Sequence, residues 1–391
     1  MRPGIGVWAA TLGAGTALGI GAAIATAAPA SADDVPASAR TAKPAAAKTV
    51  SAQAKTTGPR RNTARTGSLP RAAVSSGASP APAIPTVALS QFSLSSGSTG
   101  AAELSGLTYA GGTTYYSVGD NGADSIWQLY TSLATPPGGI RSGLVASGIS
   151  APALGADSEG IALTPSGTSA WVSDEIASTI TEFSLVDGSR VGSVAVPAIY
   201  RPTNVQGNFG LESLSYAAGA LWTGNEEALR SDGSLSTTAA GSWVRIQKFT
   251  GPGFTPSIQY AYRTDPIAEM SPLTDAERSG LVDMVALPDG HVLSLERELG
   301  GFLPVFRSRI YLVDFTGATD IADVPSLSEG GFTPVSKTLL WQGYFAFTNF
   351  EGMALGPQQS DGSYSLLMVS DDGGGILGQR QTLLTLNLRL V

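Results

Sequence analysis

Carboxylates recur at two kinds of position along this chain. Glu159, Glu212, Asp283 and Glu351, with Ser105 in the first copy, each open a short apolar run. Asp120-Asn121, Asp174-Glu175, Asn225 to Glu227, Glu296 to Glu298 and Asp371-Asp372 each close a second run that follows a turn. If the two runs form an antiparallel hairpin, the start of one and the end of the other share an edge, so these acids converge. Converging carboxylates repel unless a cation sits among them or some are protonated. Ca2+ suits such a set, because it takes about six to eight oxygens in loose geometry. A carboxylate left unligated could then act as general base or acid. Taken alone, any one of these acids reads as a turn cap or an acceptor for a backbone amide. Their repetition in register is what points to metal or substrate.

Cations accompany them. Arg201, Arg230, Arg278, Arg297, Arg307 and Arg380 fall in or beside loops of the same edge, and a guanidinium can hold a phosphate or carboxylate with two parallel bonds. Arg297 lies between Glu296 and Glu298 and is the candidate for steadying developing charge, with a salt bridge to those neighbours as the alternative. The expected catalytic set is therefore Glu159, Glu212, Glu296 and Arg297. The expected metal set is Glu159, Glu212, Asp283, Glu351, Asp371 and Asp372. The single histidine, His291, follows a Pro-Asp-Gly turn at the opposite end of its hairpin, which removes the key residue from Ser-His-Asp and metal–histidine mechanisms. The runs GDNG (119–122) and DDGGG (371–375) lack a following helix and a lysine, so they read as turns and not as nucleotide loops.

The elements that position these residues repeat. SGLTYAGGTTYYSVGDN (105–121), EGIALTPSGTSAWVSDE (159–175), ESLSYAAGALWTGNEE (212–227), VDMVALPDGHVLSLERE (282–298) and EGMALGPQQSDGSYSLLMVSDD (351–372) are copies of one pattern. Each continues into two more strand-like runs, such as IWQLYTSL with GLVASGI after the first. Alternation, β-branched and aromatic residues, and Gly/Pro/Asp turns agree on strands. A repeated four-strand unit of this length predicts an all-β fold, a β-propeller of five readable four-stranded blades. The last copy has only one further run, and VALSQFSL (87–94) supplies the missing strand and closes the ring. The spacings from Glu212 to Asp283 and from Asp283 to Glu351 exceed the first two, leaving room for a sixth, degenerate blade. SPLTDAERSGL (271–281) reads as a short helix ended by Gly280.

Before the repeats the composition changes twice. Residues 1–32 begin with one cation, Arg2, run through Ala, Gly, Ile and Thr, and end in Ala30-Ser31-Ala32. This describes a secretory signal peptide, with an uncleaved anchor as the alternative. Residues 33–84 are Ala, Pro, Ser, Thr, Lys and Arg with almost no large apolar side chain, which predicts a disordered stalk whose basic residues could touch anionic wall polymers. The stalk takes a disproportionate share of the 23 Lys and Arg, so residues 85–391 are more acidic than the whole-chain charge of −8 implies. That balance excludes nucleic acid and anionic membrane as partners of the globular part and favours cations. There is no cysteine, hence no disulfide. A secreted monomer with no membrane span after cleavage, acting on a small anionic or ester substrate, is the expected setting.

On DSEGIALTPSG (157–167), NFGLESLSY (208–216), LVDMVALPDGHVLSLERE (281–298), RIYLVDFTGATDI (309–321), NFEGMALGP and LLMVSDDG, the chain resembles the phytase-like domain family, "esterase-like activity of phytase". The resemblance runs over roughly residues 87–391. It implies a propeller that hydrolyses phosphoesters, and carries over to Glu159, Glu212, Glu296, Glu351, Asp371 and Asp372. β-Propeller phytases, which the chain is more loosely similar to, use a Ca2+-rich acidic mouth with several Lys and Arg for the phosphates. Here the propeller holds only Lys248 and Lys337, which speaks against phytate itself. Two other functions fit the same residues: a non-catalytic binding propeller on a stalk, and a Ca2+-dependent lactonase or carboxylic ester hydrolase.

Overall fold

The computed structural model describes residues 90–93, 101–120, 122, 124–130, 145–268, 278–300, 305–374, 379 and 381–389. The signal peptide and stalk expected over 1–32 and 33–84 lie outside the described residues. In chain order the strands are β1 (Ser90–Ser93), β2 (Leu104–Gly111), β3 (Thr114–Gly119), β4 (Ser125–Tyr130), β5 (Val145–Ser150), β6 (Ser158–Leu163) and β7 (Ser169–Asp174). Then come β8 (Thr179–Ser184), β9 (Arg190–Val194), β10 (Leu211–Ala217), β11 (Ala220–Asn225), β12 (Trp243–Thr250), β13 (Thr255–Arg263) and β14 (Arg278–Ala286). The series ends with β15 (Val292–Gly300), β16 (Val305–Asp314), β17 (Ser336–Ala346), β18 (Asn349–Gln358), β19 (Tyr364–Asp371) and β20 (Thr382–Leu388).

These strands make five four-stranded antiparallel sheets. Blade one is β2 to β5, blade two β6 to β9, blade three β10 to β13 and blade four β14 to β17. Blade five is β18, β19 and β20 with β1 alongside β20, where Ser90 faces Thr385 and Ser93 faces Thr382. The first strands of the blades neighbour one another, β2 with β6, β6 with β10, β10 with β14, β14 with β18 and β18 with β2. The expected five-bladed propeller is therefore present.

Packing follows from the pleat. Second strands such as β7 (SAWVSD) and β11 (ALWTGN) are buried along their whole length, because both faces meet a neighbouring blade. Apolar side chains of adjacent blades then form five separate cores, one at each blade-to-blade contact. Val118, Ile161 and Phe183 join blades one and two; Trp171, Leu214 and Phe249 join two and three; Trp222, Met284 and Val313 join three and four. Leu295, Phe350 and Met368 join four and five, and Leu367, Tyr115 and Leu129 join five and one. Each blade is held from both sides. The hairpin turns need left-handed residues, supplied by Gly167 (φ 69) in Pro-Ser-Gly and Gly290 (φ 94) in Pro-Asp-Gly.

No sixth sheet occurs among the described residues. Much of the extra length that suggested one lies in residues 226–242, between β11 and β12, and residues 315–335, between β16 and β17. The two insertions meet on the buried guanidinium of Arg245. It donates to Asp232 Oδ2 at 2.7 Å, to the Val324 carbonyl at 2.9 Å and to Gln259 Oε1 at 2.7 Å, while Asp232 Oδ1 accepts from Leu327 N at 3.0 Å. The helix expected over 271–281 is also corrected. Arg278 to Leu281 open β14, paired with Leu299 to Glu296, while residues 271–277 lie outside the described ones. Cross-strand pairing overrides local helix propensity here, and Gly280 is required for space: a Cβ there would lie 2.5 Å from the Glu226 side chain.

Candidate functional site

The first strand of every blade carries a break in register at the same place. In blade three Leu211 faces Asn225 but Ser213 faces Gly224, so Glu212 is the extra residue. In blade four Leu281 faces Glu296 and Asp283 faces Leu295, so the extra residue is Val282. In blade five the break falls at Glu351, and in blades one and two it spans Ser105 and Glu159. A bulge leaves one residue unpaired and re-aims its side chain. The bulge positions are thus Ser105, Glu159, Glu212, Val282 and Glu351, and all are buried.

Asp283 stands one residue past the bulge, where the other blades have Gly106, Gly160, Ser213 and Gly352. Innermost strands of adjacent blades nearly touch there: a Cβ on Gly352 would lie 2.1 Å from the Ser105 carbonyl oxygen. Asp283 fills the equivalent gap by accepting from Met284 N at 2.7 Å and from Met353 N of the next blade at 2.6 Å. Its expected place in the metal set is not where the structure puts it, because the bulge shifts the register by one. Both its oxygens are occupied by amides.

A second ring is formed on each second strand by the residue opposite the position two before the bulge. Asp120, Glu175 and Glu226 donate their backbone N–H to Glu103, Asp157 and Gly210 at 3.0, 2.9 and 3.0 Å, and Arg297 and Asp371 hold the same place opposite Gly280 and Asn349. Strand alternation sends the residue before each of these to the other face. Asp174 accepts from Ala177 N at 2.5 Å, and Asn225 Oδ1 accepts from Arg245 N at 2.8 Å. Glu296 accepts from Tyr262 Oη at 2.6 Å, Asp265 N at 2.9 Å and Arg309 Nη1 at 3.5 Å, and also from Lys337 Nζ. Glu298 behaves alike, accepting from Ala268 N at 3.0 Å and pairing with Arg309. Glu296, expected among the catalytic residues, therefore belongs to a clamp between blades three and four and not to the ring.

Glu159, Glu212, Glu351, Asp371 and Arg297 are brought together, with Asp120, Glu175 and Glu226. Candidate ligand oxygens of Asp120, Asp157 and Glu159 lie within 4.8 Å of one another, as do those of Glu159, Glu175 and Glu212. Arg297 Nη2 donates to Glu226 Oε1 at 2.8 Å and lies 3.5 Å from Glu351 Oε1. Asn349 Nδ2 donates to Glu351 Oε1 at 2.6 Å. Asp371 Oδ1 accepts from Gly373 N at 2.7 Å, and Asp372 Oδ1 from Glu103 N at 2.9 Å.

Burial is the main cause of the ring's electrostatics. It pushes Asp120 up to about 11, with Glu159, Asp371, Glu351 and Glu103 adding repulsion. Glu159, Glu175 and Glu212 are raised well above the carboxylate range by burial, then Glu159 by Asp157 and Glu351, and Glu175 and Glu212 by Glu159. Glu351 rises to about 8 through burial and Asp371, with Arg297 opposing. Glu227 reaches about 8, Glu103 about 7 and Asp371 about 6, burial leading in each. Burial disfavours charge on Arg297 too, but Glu226 and Glu351 outweigh it and its pKa is raised.

The other rim arginines stand outside the two rings, although the charge of Arg278 also favours the ionised form of Glu226. Arg201 and Arg230 are exposed and donate to the carbonyls of Ala198 and Val205 at 3.3 and 3.0 Å. Arg307 pairs with Glu298 at 3.7 Å, Arg278 lies over the Phe209 ring at 5.8 Å, and Arg380 lies outside the described residues. His291 sits in its turn beside Asp289, 3.2 Å away, at the hairpin end remote from the ring. Reading strand ends alone missed Glu103 and Asp157. Each stands two residues before a bulge position, and that shared offset from Ser105 and Glu159 is the signal that could have found them.

Residues 99–374 match the profile of the phytase-like family described as "esterase-like activity of phytase". The chain belongs to this family. A comparison with curated protein sequences finds no match. Among solved structures, the phytase-like chain is similar to a glutaminyl cyclase from Myxococcus xanthus, at 11% identity over 78% of this chain and 96% of that one, with a TM-score of 0.35. It is also similar to a gluconolactonase from Xanthomonas campestris, at 12% identity over 73% and 86% with a TM-score of 0.33. A PQQ-bound aldose sugar dehydrogenase from Streptomyces coelicolor is 14% identical over 78% and 99%, with a TM-score of 0.32. No helix among the described residues is long and apolar enough to cross a membrane.

The phytase-like ring fits a hard divalent cation. Its donors are all carboxylate oxygens, and oxygens up to 4.8 Å apart can share one ion at the usual Ca–O distance of about 2.3–2.6 Å. Asp120 Oδ1 is buried and lacks a hydrogen-bond partner. A buried oxygen without a partner carries a desolvation cost of about 1–3 kcal/mol, more when charged, which a cation would relieve. Arg297 is the only cation among the ten residues of the two rings, against seven carboxylates.

Proposed function

We propose that this phytase-like propeller is a secreted, Ca2+-dependent phosphoric ester hydrolase, exported by residues 1–32 and carried on the stalk of residues 33–84. The observation that carries the reading is the pair of buried carboxylate trios sharing Glu159, faced by one arginine. Asp120, Asp157, Glu159, Glu175 and Glu212 would hold the ion. When bound, it supplies charge that polarises a phosphoryl oxygen and lowers the pKa of water. Glu351, oriented by Asn349 and Arg297, takes the proton of the attacking water. Arg297, kept charged by Glu226 and Glu351, steadies the negative charge on the phosphoryl oxygens in the transition state. The ester bond to the leaving alcohol breaks, and that oxygen recovers the proton.

The substrate is a small ester with a single phosphoryl group. Both lysines of the propeller are committed away from the ring, Lys337 to Asp265 at 2.8 Å and to Glu296, and Lys248 over the Trp222 ring at 4.8 Å. Neither is free for further phosphates. Release of phosphate or nitrophenol from mono- and diesters, with Ca2+ and with chelator, tests the reading. Turnover that chelator abolishes supports it. A folded, Ca2+-loaded protein inactive on both classes would sink it.

The burial of the whole ring favours a second reading, a binding platform stiffened by the ion. On that reading Glu351→Gln and Glu212→Gln change Ca2+ affinity while no ester or lactone is turned over.

A further inference from the structure

We infer that Lys337 and Asp265 become joined by an isopeptide bond that ties blade three to blade four, with Glu296 as the group that moves the protons. The cross-link is independent of the ring and of the activity proposed for it. The clamp between the two blades holds a nucleophile, a carboxyl group and a proton carrier in mutual contact. Lys337 Nζ lies 2.8 Å from Asp265 Oδ1 and donates to Glu296 Oε1. Tyr311 Oη donates to the other oxygen of the same carboxylate, Asp265 Oδ2, at 2.5 Å. Glu296 is fully buried and touches both partners. Its Oε1 also accepts from Tyr262 Oη at 2.6 Å, and its Oε2 accepts from Asp265 N at 2.9 Å.

An ion pair alone needs only its two charges. What sets this one apart is the packing round the amine and the second carboxylate on it. Lys337 Nζ stands 4.3 Å from the centroid of the Tyr311 ring and 4.9 Å from that of Tyr262, so aromatic faces replace water around the nitrogen and hold it on Asp265. Reacting groups held at about 3–3.5 Å have already lost the freedom that makes amide formation slow in solution. The step balances without a co-reactant, since an ammonium and a carboxylate contain the atoms of an amide and one water. Glu296 takes a proton from Lys337 Nζ, and the freed amine attacks Asp265 Cγ. Tyr311 steadies the negative charge on Oδ2 in the tetrahedral intermediate. Glu296 passes this proton and then a second one from nitrogen to Oδ1, the Cγ–Oδ1 bond breaks, and water leaves by the exposed side of Asp265, 39% of whose side chain meets solvent. The bond closes the chain between residues 265 and 337, a loop that contains β14, β15 and β16. The chain has no cysteine to supply a disulfide, and a cross-link across so long a loop restricts the unfolded state in the same way.

The test is peptide mass spectrometry on the folded full chain, denatured and then digested with trypsin. The expected product is branched, with residues 264–278 joined to residues 310–380 and lighter by one water than the two peptides together, because trypsin does not cut after an acylated Lys337. Complete recovery of free 264–278, together with a complete cut after Lys337, overturns the inference, and this measurement needs no variant to fold. Lys337→Arg and Glu296→Gln are each expected to release 264–278 as a free peptide. A Glu296→Gln chain cross-linked as fully as wild type overturns the proton-carrying role of Glu296.

Discussion

Replacing Arg297 by methionine tests whether the ring is balanced by this one guanidinium. Arg297 is 3% exposed, bonded to Glu226 at 2.8 Å and 3.5 Å from Glu351, both also buried. Methionine keeps most of the volume, so the loss is chiefly one of charge. Removing one partner of a buried ion pair costs about 3–5 kcal/mol, because the remaining charge is left uncompensated. For a large domain each kcal/mol shifts the melting temperature by about 2–4 °C, so Arg297→Met should melt roughly 6–20 °C below wild type in chelator at pH 8.5. The deficit should shrink on acidification. Glu351 ionises around 8 with Arg297 opposing its neutral form, so without the arginine its proton is held still more tightly. At pH 5.5 Glu351 is then neutral, and Glu226, whose pKa burial also raises, needs less counter-charge than at pH 8.5. Thermal melting of both proteins at pH 8.5 and 5.5 measures this. A variant as stable as wild type at pH 8.5, or one whose deficit is the same at both pH values, refutes the argument that Arg297 balances the ring.

Two further outcomes follow from the same geometry. In chelator the wild-type protein should lose stability as pH rises from about 5 to 8.5. Carboxyls whose folded pKa lies above the unfolded value hold extra protons when folded, so their contribution is present at low pH and lost through the window up to the folded pKa, at about 1.4 kcal/mol per unit for each group. Asp371 (about 6), Glu103 (about 7) and Glu227 and Glu351 (about 8) set that window, and saturating Ca2+ should flatten it; melting curves that rise with pH in chelator contradict this. Glu296→Gln should lower stability by about 3 kcal/mol, since Lys337 and Arg309 lose a buried partner, yet leave Ca2+ affinity within about twofold of wild type; a large affinity loss would put Glu296 back in the ring.

Much of this was legible in the residues because repetition is a property of sequence. The four-strand unit and its five copies follow from alternation and turn residues, as does the remoteness of His291. What alternation could not give was which of two adjacent charged residues faces the axis. Glu296 and Arg297 are neighbours on β15, but the pleat sends one to Lys337 and Tyr262 and the other to Glu226. A bulge adds a second ambiguity, since it moves every later residue by one relative to the partner strand. That is how Val282 takes the place of a glutamate, and Asp283 a place between strands. The longer repeats were likewise ambiguous, because an insertion docked through Arg245 and Asp232 adds residues just as a blade would.

Blade four departs from the others in both rings at once, with Val282 at the bulge and Arg297 at the strand end. The coincidence has an electrostatic reason. A ring of five acids at each level would place its charges symmetrically about the axis, leaving no preferred side for a cation or a substrate. Ser105 and Val282 leave blades one and four without an acid at the bulge, and Arg297 inverts the charge at the blade-four strand end, which makes blade four the positive side. The trios of Asp120, Asp157, Glu159, Glu175 and Glu212 come from blades one to three, and Arg297 is contributed from outside them, with Glu226 and Glu351 as its immediate neighbours. An ion held by the trios and the guanidinium of Arg297 would thus come from different blades, with Glu212 interacting with both. Under the proposed ester hydrolysis, two positive centres supplied by different blades would face one oxyanion, a use for the broken symmetry that a platform stiffened by the ion would not have.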